Sequence, residues 1–142
     1  MKTIIPSPKI LYKAKTHTIG GRSHGACRSS DSHLHVLLST PGKLGSGTNP
    51  EQLFAAGWSA CFGDALIIGT LKRNITLPDE ITIDAEVDLC IDSGAYYLQG
   101  QLNIIIPGLN KEIALELINE ARRICPYTKA IASNMQVAFN LL

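Results

Sequence analysis

The sequence predicts an α+β fold, and three observations carry the prediction. Residues 81–92 alternate apolar and polar side chains, the two-residue period of a strand. Residues 110–124 repeat apolar side chains at helical spacing. Strand-like segments pair through short turns, so the order reads β-β-α-β-β-α-β, with hairpins rather than a βαβ series. At 142 residues the chain suits one domain, 1–142, able to bury roughly two-thirds of its unfolded surface.

The first strand is expected over 9–19, where Ile10, Tyr12 and Ala14 alternate with Lys9, Lys13 and Lys15 until Gly20-Gly21. A second is expected over 33–39, with Leu34, Val36 and Leu38 on one face. His33 and His35 share the other face and fit a solvated strand better than a metal pair. Residues 41–50 form a loop by composition. Leu44 stands where a phosphate loop needs Ser or Thr, so that reading fails.

A helix follows, to about Lys72. Thr48 and Glu51 have capping-box spacing, and Asn49 before Pro50 is an equally good start. Leu53, Phe54, Trp58, Phe62, Leu66, Ile67, Ile68 and Leu71 make it apolar nearly all round, so burial on most sides is expected. Asp64 in its middle and the lack of aromatic or basic belts argue against a membrane span. Gly57, Gly63 and Gly69 each weaken it by about 1 kcal/mol against Ala. They would suit another backbone packed close by.

After a turn over 74–80, the strand over 81–92 runs through a Ser93-Gly94-Ala95 turn into a strand over 96–106. Pro107-Gly108 ends it. Asn110 caps a helix with Ile113, Ala114, Leu117, Ile118, Ala121 and Ile124 on one face. Pro126 pushes Cys125 out of the helical region, and a short helix restarts with Cys125 as cap and Pro126 first. Residues 135–142 close the chain as a strand, with Met135, Val137, Phe139 and Leu141 on one face.

Composition narrows the function. Thirteen Lys and Arg against twelve Asp and Glu give a net charge of +1, which argues against nucleic acid or an anionic membrane as partner. The four cysteines, 27, 61, 90 and 125, are too few for a disulfide framework and include no Cys-x-x-Cys, so no metal is expected. The apolar run near the N-terminus stops at Pro6, too soon for a signal peptide, and a cytoplasmic location is expected. Cys61, in an apolar helix, reads on position alone as a small buried hydrophobe. Cys125 at a helix N-cap has free N–H groups to stabilise its thiolate. Nothing local activates Cys90, and Cys27 has only Arg28 beside it.

Two segments carry more. Residues 48–62, from Thr48-Asn49-Pro50-Glu51 to Ser59-Ala60-Cys61-Phe62, and Cys125-Pro126-Tyr127-Thr128-Lys129-Ala130 closely resemble the signature stretches of organic hydroperoxide resistance proteins, within the OsmC-like superfamily. Gly20-Gly21-Arg22, Leu37-Leu38-Ser39-Thr40-Pro41 and the chain length fit as well. The resemblance implies an OsmC-like fold, antiparallel sheets around two central helices in an intertwined homodimer. It implies a thiol peroxidase without metal or haem, with Cys61 attacking peroxide and Cys125 resolving. Arg22 would activate Cys61, and Glu51 would hold Arg22. The implied reductant is a dihydrolipoyl dithiol on a lipoylated protein. Trp58 departs from the pattern, standing where a Tyr-type aromatic is usual, and Asp64 is an acid in a mostly apolar stretch.

The physical chemistry agrees with that set. A Cys in an apolar helix has a raised pKa and is inert as a thiol. An Arg fork is the suited cation, and a buried Arg needs its own carboxylate. Taken alone, Arg22 reads as a surface residue after a turn and Glu51 as a capping acid. Phe54, Trp58, Phe62 and Tyr127, with Tyr97 as a further candidate, would favour apolar peroxides over hydrogen peroxide. Two rival readings are a peroxide-responsive sensor without turnover and an OsmC-branch peroxidase with another preference. A DNA-binding sensor should carry a basic helix-turn-helix, which the sequence lacks.

Glu51 and Cys61 lie ten residues apart on one expected helix. That is roughly 15 Å along the axis and about 80° around it, beyond the span of one Arg fork. The expectation is therefore a twofold homodimer in which Glu51, with Arg22, serves the partner's Cys61.

Overall fold

A computed structural model describes residues 8–142. It comprises two compact units, one ending at Asn49 and the other Pro50–Leu142.

The first unit is a three-stranded antiparallel sheet of β1 (Thr16–Ile19), β2 (Ala26–Ser29) and β3 (His35–Leu37). These strands take up only the end of the expected 9–19 strand and the middle of the 33–39 strand, with Leu38 adding an isolated parallel bridge to Thr48. β2 was not expected, because Ala-Cys-Arg-Ser has no alternation to announce it. The reversal before it is tight. Gly20 has φ +71°, and a Cβ on Gly25 would lie 2.6 Å from the Gly21 carbonyl oxygen. Across the sheet His17, Arg28 and His35 form one row, and Thr18, Cys27 and Val36 the adjacent row on the other face.

The second unit opens with α1 (Pro50–Lys72) and continues with β4 (Thr82–Asp92) and β5 (Ala95–Ile105). It closes with α2 (Lys111–Ile124), α3 (Pro126–Ile131) and β6 (Gln136–Leu141). The β4–β5 hairpin turns on Ser93 and Gly94, with φ +51° and +83°, as a two-residue turn of matching twist requires. Asn110 caps α2 by accepting from the Ile113 N–H at 2.9 Å.

One expectation is corrected here. The sheet β4-β5-β6 is mixed, not antiparallel, because β6 pairs with β5 in parallel. A parallel neighbour needs a crossover, and α2 with α3 supplies it, so a βαβ unit is present after all.

The apolar face of this sheet, with Ile83, Ala85, Leu102 and Ile104, packs against α1 and α2. Trp58, Phe62, Leu66 and Leu117 are fully buried there. By length and composition α1 could cross a membrane. In the fold it packs on β4, α2 and α3. The expected burial on most sides is not met within one chain, since those neighbours leave Ile67 and Leu71 exposed, at 48% and 68%. The α1 glycines also differ from expectation, because side chains rather than a backbone occupy their space. A Cβ would lie 2.7 Å from Tyr127 Oη at Gly57, 3.0 Å from Leu117 Cδ2 at Gly69, and 3.6 Å from Ile83 Cδ1 at Gly63.

Candidate active site

Two helices meet at a pair of sulfurs. Cys61 is on α1, half-buried. Cys125 occupies the joint between α2 and α3, where Pro126 forces an extended backbone (φ −61°, ψ 117°). Its N–H closes α2 on the Ala121 carbonyl, while its sulfur accepts the Thr128 N–H of α3 at 3.4 Å. That is the N-cap role expected of it. Its side chain is fully buried. The Cys125 Sγ lies 3.2 Å from Cys61 Sγ, and both are free thiols.

The surroundings of Cys61 raise its pKa. Burial is the largest cause; the Tyr127 backbone N–H opposes it, and the neighbouring Cys125 and Asp64 push the thiol further up. A reactive Cys61 thiolate therefore needs a cation in addition to the Tyr127 N–H.

Phe54 and Tyr127 stand together, Tyr127 two residues past Cys125. Their rings meet edge to face at 5.9 Å, with Gly57 leaving room for the Tyr127 hydroxyl. Both keep exposed surface, and Tyr127 is 41% exposed. Trp58 and Phe62 do not keep any, which corrects their expected place in a substrate pocket. They are core residues closed over by Phe139, at centroid distances of 6.1 and 5.2 Å. Within one chain Tyr97 is not brought to these thiols. It pairs with Cys90 on the polar face of the sheet, opposite the face that packs α1. Glu51 lies in the first turn of α1, and the helix runs unbroken from it to Cys61. Arg22 lies in the turn between β1 and β2, in the other unit. Thr128 is the residue sequence reasoning missed. Its N–H meets Cys125, and its hydroxyl accepts the Trp58 indole N–H at 3.0 Å. The sequence signals for it were its place in the Cys125–Ala130 signature stretch and its third place in the helix that Cys125 caps.

Residues 40–140 match the family model described as OsmC-like protein. The chain belongs to the OsmC-like family. It is 39% identical over 137 residues to an organic hydroperoxide resistance protein of Xanthomonas axonopodis pv. citri, covering 94% of this chain and 96% of that one. It is also 39% identical to organic hydroperoxide resistance protein OhrB of Bacillus subtilis, covering 92% of this chain and 98% of the relative. The crystal structure of the Bacillus subtilis protein superposes with a TM-score of 0.87 at 37% identity, covering 94% of this chain and all of that one (100%). Within the OsmC-like family, then, the chain is placed with the organic hydroperoxide resistance proteins.

Proposed function

We propose that this protein protects against organic hydroperoxides by reducing them to alcohols at Cys61. The observation that carries the reading is the 3.2 Å approach of Cys61 and Cys125, the second of them capping a helix. The names of its relatives, organic hydroperoxide resistance proteins, support organic hydroperoxides as what it acts against.

In the proposed cycle the Cys61 thiolate attacks the distal oxygen of ROOH. The O–O bond breaks, and the alkoxide takes a proton and leaves as ROH, its developing charge stabilised by Arg22. Cys61 is left as a sulfenic acid. The Cys125 sulfur then attacks that sulfur, and water leaves as the Cys61–Cys125 disulfide forms. An external dithiol, of the dihydrolipoyl type on a lipoylated protein, returns both thiols by two exchanges and becomes a disulfide itself. The protein acts in the cytoplasm and needs no metal or haem.

Arg22 is assigned as the cation that offsets the raised Cys61 pKa, with Glu51 as its carboxylate. Because α1 is continuous, Glu51 cannot reach the thiol of its own helix. The site is therefore assigned to a homodimer, with Glu51 and Arg22 of one chain serving Cys61 of the other. The exposed Ile67 and Leu71 on α1 are consistent with a covering second copy. Mixed Glu51→Ala and Cys61→Ser chains should recover activity, because the heterodimer holds one complete site. Inactive heterodimers would exclude the shared site.

Phe54 and Tyr127 are the apolar surface left to select substrate, at about 0.8 kcal/mol per buried methylene of the alkyl group. The deciding assay is peroxide consumption per mole of protein with dihydrolipoamide, using cumene hydroperoxide and hydrogen peroxide. Many turnovers with cumene hydroperoxide and few with hydrogen peroxide are expected. One equivalent consumed and no more would favour a sensor.

A further inference from the structure

The thiol pair is one of several points at which α1 touches the start of α3, beside the Phe54–Tyr127 rings and the space Gly57 leaves for the Tyr127 hydroxyl. Three residues before Cys61 on α1 stands Trp58, and three residues after Cys125 stands Thr128. The Trp58 Nε1–H donates to Thr128 Oγ1 at 3.0 Å, in a bond buried at both ends, with Trp58 0% and Thr128 5% exposed. The indole is itself immobilised. It lies between Phe54 and Phe139, at 6.2 and 6.1 Å, and over Gly100, where a Cβ would come within 3.1 Å of its Cζ3. A ring so held is a fixed anchor, and Thr128 is the residue whose backbone N–H meets the Cys125 sulfur.

A fixed second contact restrains the turning of one helix end about the first, which a single contact leaves free. The sulfur contact changes at every step of the proposed cycle. From 3.2 Å as free thiols, the sulfurs must approach to about 2.05 Å as a disulfide and separate again. A second contact that stays constant can keep α3 in place meanwhile. It would also keep the Tyr127 N–H at Cys61.

Resting on the peroxidase reading above, we propose that Trp58 is a positioning residue, which through its hydrogen bond to Thr128 holds the first turn of α3 in register with α1. Cys125 then resolves the Cys61 sulfenic acid before a second peroxide oxidises it. Trp58 touches no substrate in this role; it acts through Thr128.

The test uses Thr128→Val, which keeps the shape and removes the acceptor, and Thr128→Ser, which restores it. Purified reduced protein is treated with cumene hydroperoxide, and intact mass gives the ratio of sulfinic acid to disulfide. Cys61 alkylation against pH is measured on the same samples. Thr128→Val should raise the ratio of sulfinic acid to disulfide at least about fivefold and move the Cys61 alkylation midpoint to higher pH, and Thr128→Ser should return both to native. Should Thr128→Val fail to fold, Trp58→Phe removes the donor instead, with the same two shifts expected. A native ratio and a native midpoint in a folded Thr128→Val or Trp58→Phe protein overturn the proposal. The wild-type turnover assay separates the two readings. If the wild type does not turn over, the peroxidase reading falls, while the alkylation midpoint still decides whether the tie positions the thiol.

Discussion

Cysteines occur in two kinds of place in this protein, and the contrast explains where its chemistry lies. Cys27 and Cys90 sit on strands, each half-buried in a ladder, with Thr18 and Val36 as the cross-strand partners of Cys27 and Tyr97 that of Cys90. Cys61 and Cys125 sit where one helix crosses the start of another. In a strand the backbone N–H groups are directed in the plane of the sheet, away from the side chains on its faces. At a helix start several have no partner within the helix, and two of them reach the sulfurs: Thr128 N–H to Cys125 and Tyr127 N–H to Cys61. Under the proposed chemistry, reactivity belongs to the junction rather than to the residue type.

Replacing the sulfurs tests that contrast most severely. Cys61→Ser should abolish reaction with peroxide, read as consumption in the first turnover. Native-rate consumption by this variant would move the nucleophile elsewhere. Cys125→Ser should react once and stop, leaving a sulfenic acid at Cys61 that goes on to sulfinic acid at higher peroxide, visible by intact mass. Arg22→Lys keeps the charge and loses the fork, so the Cys61 alkylation profile should move to higher pH and the peroxidatic rate fall at least about tenfold. Asp64 pushes the Cys61 pKa up, so Asp64→Asn should move the same profile to lower pH. Because Asp64 is exposed, the gain in thiolate at neutral pH should stay below about threefold. Cys27→Ser and Cys90→Ser should leave turnover within about twofold of native, and a larger loss would erase the distinction between strand and junction thiols.

The junction itself was legible in the sequence to an uneven degree. Cys125 as a cap followed from Pro126, because proline constrains its predecessor locally. Asn110 and Ser93-Gly94 were legible for the same reason, each a short-range rule about caps and turns. Cys61 was not: its position alone described a buried hydrophobe, and the family resemblance marked it out. What no local rule reached were pairings across long separations. Trp58 meets Thr128 seventy positions on, so its indole looked like pocket lining rather than a core anchor. Gly57 makes way for Tyr127, where a second backbone had been expected. β2 carried no period at all, and the parallel entry of β6 depends on where a helical crossover delivers the chain.

The distance in sequence between the two sulfurs has a consequence for the protein during its own synthesis. Cys61 is made 64 residues before Cys125, an interval of about 3–13 s at ordinary rates of translation. Throughout that interval the nascent chain lacks α3, and so lacks the Tyr127 N–H that favours the thiolate. The residue that helps ionise Cys61 and the residue proposed to resolve it are two positions apart on the same late segment. In the proposed cycle activation and rescue therefore reach Cys61 together, and an incomplete chain carries a thiol without that help toward ionisation.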